Sequence, residues 1–148
     1  MHVLDVVTIL LVGLMIGNEL TVSLFVNPVM WQLDNRSQTQ ALSLFARILG
    51  KAMPAWYAVC LLLILMEAFV RRHEEGLALL LAAAAIWIVV ILLTVMLLVP
   101  INNRVAAMTP EVFAASGKLE HKKWDTMHRW RVVALTIAMV CLLEGILQ

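Results

Sequence analysis

The sequence contains few charged residues. Asp, Glu, Lys and Arg make up only 14% of the 148 residues, whereas about 25% is usual in a soluble domain. The formal net charge is only +1, and the chain has no basic, aromatic-interleaved patch of the kind that tracks a phosphate backbone, so we expect no nucleic-acid partner. Apolar residues make up 63% of the chain and form several long runs. This composition indicates an integral membrane protein surrounded by the lipid bilayer.

Two further signatures are missing, a redox cysteine motif and a cleavable secretory signal. The two cysteines, Cys60 and Cys141, lie inside apolar runs and form no CxxC pair. We expect them to be buried thiols, with a disulfide between two helices as the open alternative. The N-terminal residues lack the basic region and the small-residue cleavage pattern of a signal peptide, so we expect the first apolar segment to be retained.

Four apolar segments predict four membrane helices in a single domain covering residues 1–148. The predicted helices cover about residues 3–26, 52–70, 77–99 and 124–147. The apolar part of the last helix is shorter than the roughly 20 residues that cross a bilayer, so its polar beginning should extend it. Each of the two long connections should hold a short amphipathic helix. The predicted fold is therefore an all-α membrane four-helix bundle, with Trp56 and Tyr57 in an aromatic belt at the membrane surface.

Polar residues gather at one end of this predicted bundle. Four helices place both termini on one side of the membrane, and the ends of helices 1 and 3 then lie beside the starts of helices 2 and 4. The polar residues at that level are Asn18, Glu19, Ser23, Asn27, Asn102, Asn103, Arg104, Asp125, His128 and Arg131. Glu19, Ser23 and Asn27 are spaced i, i+4 and i+8, so they should share one helix face. An intramembrane carboxylate costs about 2.5–3.5 kcal/mol on insertion scales, so Glu19 should face the bundle interior, a water-filled cavity or a cation. We predict one polar pocket at this level.

The basic residues predict how the protein is oriented. Of the 11 Lys and Arg residues, all except Arg71 and Arg72 lie in the long connections or at the start of helix 4, on the pocket side. Because cytoplasmic segments of membrane proteins are enriched in basic residues, the pocket side should be cytoplasmic and both termini outside. We expect a multi-pass protein of a bacterial-type inner membrane.

Three short motifs resemble those of a known membrane-protein family. The sequence Val-Pro-Ile-Asn-Asn-Arg-Val at 99–105 and the segment 124–131 are similar to the DUF1772 membrane proteins, which include the anthrone oxygenases. The shared features are Pro54 after Gly50, then Pro100, Asn102 and Val105, and finally Trp124, His128, Arg129 and Arg131. Val105 stands where we would expect leucine. The resemblance covers nearly the whole chain in topology and implies the same four-helix membrane fold.

The family resemblance implies oxygenation of an aromatic or phenolic, anthrone-like substrate without an obvious cofactor. Such a substrate carries an acidic C–H, and removing its proton gives a carbanion that can transfer an electron to O2. The protein then needs a base and donors that hold the oxyanion. The candidate bases are Glu19 and His128. The residues predicted to contact the substrate are Asn18, Asn102, Asn103, Arg104, Trp124 and Arg131.

A single metal ion is one alternative to cofactor-free chemistry. His121, Asp125 and His128 are spaced i, i+4 and i+7, so they share one helix face, and Glu19 would be a fourth ligand. Imidazole and carboxylate ligands suit zinc, iron or manganese. No HExxH motif is present, and His121 lies in a lysine-rich segment, so our main expectation is that no cofactor is bound.

Two non-catalytic functions are also open. The protein could bind or transport a small anionic or quinone-like ligand through Arg104 and Arg131. Alternatively, Gly13 and Gly17 form a GxxxG pair that would mediate helix association in a membrane assembly or a homo-oligomer, with the polar cluster only fixing the helix register. A membrane-embedded oxidoreductase of the oxygenase type is therefore the main hypothesis, beside a ligand binder and an assembly protein.

Overall fold

The computed structural model describes residues 3–148 and contains no strand in that range. Four long helices make up the fold: α1 (Val3–Met30), α2 (Asn35–Val70), α3 (Leu77–Ala106) and α4 (Pro110–Leu147). Each of them is long and apolar enough to cross a membrane. The predicted all-α membrane four-helix bundle is confirmed.

Helices α2 and α4 begin earlier than the spanning segments predicted for them. The two amphipathic stretches predicted as separate short helices are continuous with α2 and α4. The reason is the position of the caps. Asp34 accepts backbone hydrogen bonds at the start of α2, and hydrogen bonds from Ser37, above all from its side chain, lower the pKa of this carboxyl. Thr109 caps α4 with Pro110 in the first turn, while Pro54 is accommodated inside α2.

Three five-residue π-helical turns widen the helices near the pocket end. They cover Val22–Val26 in α1, Thr94–Leu98 in α3 and Phe113–Gly117 in α4. The turns in α1 and α3 each end two residues before a proline, Pro28 and Pro100. A proline lacks an N–H, and its ring crowds the carbonyl four residues earlier, so a wider turn just before it lets the helix continue. Such turns are frequent at functional sites.

Two helix backbones touch at the opposite end of the bundle. A Cβ atom added to Gly76, just before the first residue of α3, would overlap the carbonyl oxygen of Gly145 near the end of α4. Gly13 and Gly17, the glycine pair of α1, are not in close contact with another backbone. A Cβ added to Gly17 has nothing within 4 Å, and one added to Gly13 meets Met139 at 3.9 Å. Close backbone packing within this chain therefore uses Gly76 and Gly145.

That opposite end also holds a buried ion-pair cluster. The Arg71 guanidinium lies 3.3 Å from a carboxylate oxygen of Asp5 and 3.2 Å from one of Glu67. The cluster joins the start of α1 to the end of α2 and accommodates two carboxylates that would be costly in lipid.

An apolar core between the two ends fixes α2 against α3. The Trp87 side chain is fully buried there. Its indole N–H donates to the backbone carbonyl of Tyr57 over 3.1 Å, and the two ring centroids lie 5.8 Å apart. Tyr57 is thereby held in the interior, with its hydroxyl directed to the pocket end.

Candidate functional site

A cavity of about 610 Å³ lies at the pocket end, beside the first halves of α2 and α4. Most of its wall is apolar. The polar residues of the wall are Glu19, Asn27, Tyr57, Thr94, Asn102, Asn103, His121, His128 and Arg131. The volume falls in the range of about 300–1,000 Å³ that is typical of small-molecule sites, which commonly combine an apolar wall with a few convergent polar groups.

Glu19 is the carboxylate of this cavity, and only 3% of the residue is exposed. Arg131 donates to its Oε2 over 2.6 Å, and the Tyr57 hydroxyl donates to its Oε1 over 3.1 Å. The three side chains come from α1, α4 and α2, so folding brings them together from distant parts of the sequence. Because both carboxylate oxygens accept hydrogen bonds, the cost of burying this group is offset.

The guanidinium of Arg131 joins α4 to both α1 and α3. Besides its bond to Glu19, it donates from Nη1 to the Thr94 hydroxyl over 3.4 Å and from Nη2 to Nδ1 of His128 over 2.8 Å. A guanidinium is always protonated in proteins. The cavity wall therefore carries a fixed positive charge beside the carboxylate.

The ring of His128 is oriented by the two hydrogen bonds that it makes. Arginine has only donor groups, so Nδ1 of His128 accepts the bond from Arg131. The proton of the neutral ring is then on Nε2, which donates to the backbone carbonyl of Glu19 over 3.2 Å. Both ring nitrogens are engaged, and the residue is almost fully buried. His128 is therefore placed to hold Arg131 in position.

Three aromatic rings form a stack at the α4 side of the cavity, and a fourth ring is tilted against its end. His128 and Trp124 lie with their centroids 4.8 Å apart and their planes at 8°. Trp124 and His121 lie 6.1 Å apart at 13°, and Trp31 contacts the His121 ring at 4.8 Å. The three rings of α4 also line the cavity. They offer a flat, polarisable surface on which a planar aromatic ligand could stack.

A second polar contact between α1 and α4 lies nearer the outer edge of the site. Asn27 donates from Nδ2 to Asp125 over 2.7 Å, and Arg129 donates to the other carboxylate oxygen over 3.3 Å. Asn27 lines the cavity, whereas Asp125 does not. Asp125 thus serves the contact between the two helices.

Most of the predicted site residues line the cavity. They are Glu19, Asn102, Asn103, Trp124, His128 and Arg131. Two others lie outside its wall. Asn18 donates to the sulfur of Met53 over 3.6 Å. Arg104 is exposed on the last turns of α3, where it pairs with Glu120 over 2.6 Å.

Tyr57 and Thr94 are site residues that sequence reasoning missed. The clearer case is Tyr57. Its place beside Trp56 favours an aromatic belt, yet the side chain is buried and bonded to Glu19. The available signal was its position three residues after Pro54. Because α1 and α2 run in opposite directions, that turn of α2 lies level with the carboxylate of α1.

The four predicted metal ligands do not converge on one point. Within residues 3–148, no group of three or more His, Cys, Asp or Glu side chains is arranged to hold a metal ion. The His121 ring stacks on Trp124 and contacts Trp31. Asp125 accepts a hydrogen bond from Asn27 of α1, and His128 accepts one from Arg131. The expectation of cofactor-free chemistry stays a prediction.

A family model described as anthrone oxygenase matches residues 42–141, which is more than half of the chain. The matched range includes Tyr57, His128 and Arg131, whereas Glu19 precedes it. No curated protein matches the chain, and no solved structure matches it. The match confirms the family resemblance of the sequence motifs, and the place of Glu19 beside Arg131 comes from the structure.

Proposed function

The chain belongs to the anthrone oxygenase family, and from this membership we propose that it oxygenates an anthrone-like aromatic substrate in the cavity beside Glu19. The observation that carries the proposal is the buried pair of Glu19 and Arg131 at the wall of a largely apolar cavity. The pair puts a base and a cation side by side. In surroundings with little water, both act more strongly on a developing charge than they would in bulk solvent.

The proposed reaction needs no oxidant other than O2. A base removes a proton from the CH2 group between two aromatic rings, and the charge of the resulting carbanion spreads to the ring carbonyl oxygen. The carbanion transfers an electron to O2, and the two radicals combine into a peroxide anion that takes up a proton. Removal of the second C–H proton and departure of hydroxide then break the O–O bond. The CH2 group and O2 become a C=O group and one molecule of water.

Glu19 is the base in this proposal. Each of its carboxylate oxygens accepts one hydrogen bond from the protein, and a carboxylate has about four acceptor positions, so lone pairs remain for the substrate C–H. His128 is less suited, because its acceptor nitrogen is bound to Arg131. We assign His128 the role of a positioning residue that keeps the guanidinium beside the carboxylate.

Arg131 and the amides of Asn102 and Asn103 hold the developing oxyanion in this proposal. All three line the cavity. None of the hydrogen bonds found within residues 3–148 engages the side-chain amide of Asn102 or Asn103, so both amides are available to a ligand. Trp124 offers its ring to the flat substrate. Donors that are already oriented towards the oxyanion stabilise the transition state without reorganising.

The charges of the cavity support an enzyme better than a binder of anions. The guanidinium of Arg131 is paired with the Glu19 carboxylate, and that carboxylate would repel a ligand that is already anionic when it binds. In the proposed reaction the oxyanion forms only after Glu19 has taken up the substrate proton, so the charge of Arg131 is then available to it. Arg104, the other cation considered for that role, lies at the surface in its own pair. A purely structural role of the polar cluster would leave its position on a cavity wall unexplained.

The proposal includes an orientation in which the pocket end faces the cytoplasm and both termini lie outside. The distribution of exposed basic residues supports it. At the pocket end, α4 exposes Lys118, Lys122, Lys123 and Arg129. At the other end, Arg71 is buried in an ion-pair cluster, which leaves Arg72 exposed. Basic residues near the membrane are enriched on the cytoplasmic side.

Oxygen consumption by the protein in lipid nanodiscs tests the proposal, with anthrone and hydroxylated anthrones as probes. We expect O2 uptake to match formation of the quinone, with one atom of labelled O2 in the new carbonyl. Glu19→Gln should lower kcat by about 10²–10⁴-fold, which is the usual contribution of a general base, because an amide does not take up the proton.

Glu144→Gln is the matched control, because Glu144 is an exposed carboxylate at the other end of the bundle, and it should keep the wild-type rate. Heat-denatured protein gives the background of spontaneous anthrone oxidation. Wild-type kcat in a folded Glu19→Gln protein would overturn the assignment of the base. Wild-type protein that does not exceed the background would overturn the proposed function.

A further inference from the structure

A second cavity of about 520 Å³ lies between α3 and α4. Its wall on α3 includes Val89, Leu93 and Leu97, and its wall on α4 includes Met127 and Ala134. Val89, Leu93 and Leu97 are also exposed on the surface of the spanning helices. The cavity is therefore an apolar groove that is open towards the hydrocarbon of the bilayer.

Only one layer of side chains separates this groove from the main cavity. Thr94, Leu98 and Arg131 line both spaces. The guanidinium of Arg131 contacts the Thr94 hydroxyl on one side and the Glu19 carboxylate on the other. A small molecule in the groove would thus need to pass only this layer to reach the proposed reaction site.

The main cavity has its own opening to the bilayer, on another side of α3. Val95 on α3 and Ala58 on α2 both line it and are exposed at the surface. The main cavity is wide, carries the polar wall and includes the aromatic rings of α4, whereas the wall of the groove is apolar apart from Thr94, Arg131 and an indole. The two spaces therefore suit different molecules.

We propose that the two substrates approach by separate routes, with the planar organic substrate in the main cavity and O2 arriving from the bilayer through the groove between α3 and α4. This inference rests on the proposed oxygenase function. O2 is apolar and dissolves better in hydrocarbon than in water, so it needs no polar groups along its path. An organic substrate that fills the main cavity would obstruct O2 there, whereas the groove stays open and ends at Arg131.

Three consecutive residues of one π-helical turn provide the test. Val95 lines the main cavity, Leu97 lines the groove, and Met96 lines neither. Their exposed fractions are 60%, 45% and 69% in the order Val95, Leu97 and Met96, so a tryptophan at each position can be accommodated without filling the core. Each variant is reconstituted in nanodiscs, and the initial rate of O2 consumption is measured while either anthrone or O2 is varied.

We expect the tryptophan at each lining position to raise the KM for one substrate and leave the KM for the other unchanged. Leu97→Trp should raise the KM for O2 several-fold and leave the KM for anthrone unchanged. Val95→Trp should do the reverse, and Met96→Trp should change neither constant, which controls for the bulk of tryptophan in this turn. Met96→Trp should also keep the wild-type kcat at saturating concentrations of both substrates, since Met96 lines neither space.

An unchanged KM for O2 in Leu97→Trp, or an equal rise in Met96→Trp, would overturn the separate route while leaving the oxygenase function standing. A wild-type protein without O2 consumption above the background would instead remove the function, and the route with it. The activity of wild-type protein in the same nanodiscs thus distinguishes the two failures.

Discussion

Breaking the buried ion pair should cost far more stability than breaking an exposed pair of the same length. The shortest N–O distance is 2.6 Å both in the pair of Arg131 with Glu19 and in the pair of Arg104 with Glu120. The side chains of the first pair are 12% and 4% exposed, and those of the second are 55% and 29% exposed. The two pairs therefore differ in burial and in the further hydrogen bonds that Arg131 makes to Thr94 and His128.

Replacing Arg131 by glutamine leaves Glu19 buried without its cation. Removal of one partner of a buried pair costs about 3–5 kcal/mol, whereas an exposed pair contributes about 0–1 kcal/mol. In a protein of this size, each kcal/mol shifts Tm by about 2–4 °C. Arg131→Gln should therefore lower Tm by about 6–20 °C, and Arg104→Gln should lower it by less than about 4 °C.

Thermal unfolding in one detergent, followed by tryptophan fluorescence and circular dichroism, measures these shifts. The double variant Glu19→Gln with Arg131→Gln should recover part of the loss, since neither charge is then left alone. Similar small shifts for Arg131→Gln and Arg104→Gln would refute the argument that burial makes the first pair important. A double variant no more stable than Arg131→Gln would refute the coupling.

Gly76→Ala should destabilise the bundle by about 1–3 kcal/mol, as is typical of overpacking, because the new Cβ would overlap the carbonyl oxygen of Gly145. Gly17→Ala is the control, since its Cβ would have nothing within 4 Å, and equal Tm values for the two variants would contradict this packing. Tyr57→Phe should keep the fold, at a cost of about 0.5–1.5 kcal/mol for one hydrogen bond. It should lower the kcat of O2 consumption, because the hydroxyl that orients the buried carboxylate is lost. Wild-type kcat in Tyr57→Phe would show that the hydroxyl has no part in orienting the base.

Hydropathy predicts the four spans because the bilayer requires long apolar helices whatever their tertiary contacts. It does not predict where those helices begin. The caps at Asp34 and Thr109 lie well before the apolar segments. A polar, amphipathic stretch between a cap and a span is compatible with one continuous helix or with two helices and a break, and only the packed structure distinguishes them.

The sequence predicts how deep the site residues lie along their helices better than it predicts which way their side chains point. Sequence position sets how deep a residue lies in a membrane helix, so Glu19, His128 and Arg131 could be placed at one level. The direction of each side chain depends on how the helices pack. Asn18 lies next to Glu19 in the chain but contacts Met53. Arg104 lies beyond Thr94 on α3, about 15 Å further along the helix, where it pairs with Glu120. Tyr57 and Thr94, by contrast, face the cluster.

The π-helical turn of α1 explains why Glu19 and Asn27 both face α4. In a regular α-helix with 3.6 residues per turn, residues eight positions apart are displaced by about 80° around the axis, so Glu19 and Asn27 would diverge. The turn at Val22–Val26 lies between them and takes up more residues per turn, which reduces this displacement. As a result, Glu19 reaches Arg131 and Asn27 reaches Asp125, both on α4. The proline that follows would disturb a regular helix at this point, and the wider turn that accommodates it also aligns the two contacts that hold the site together.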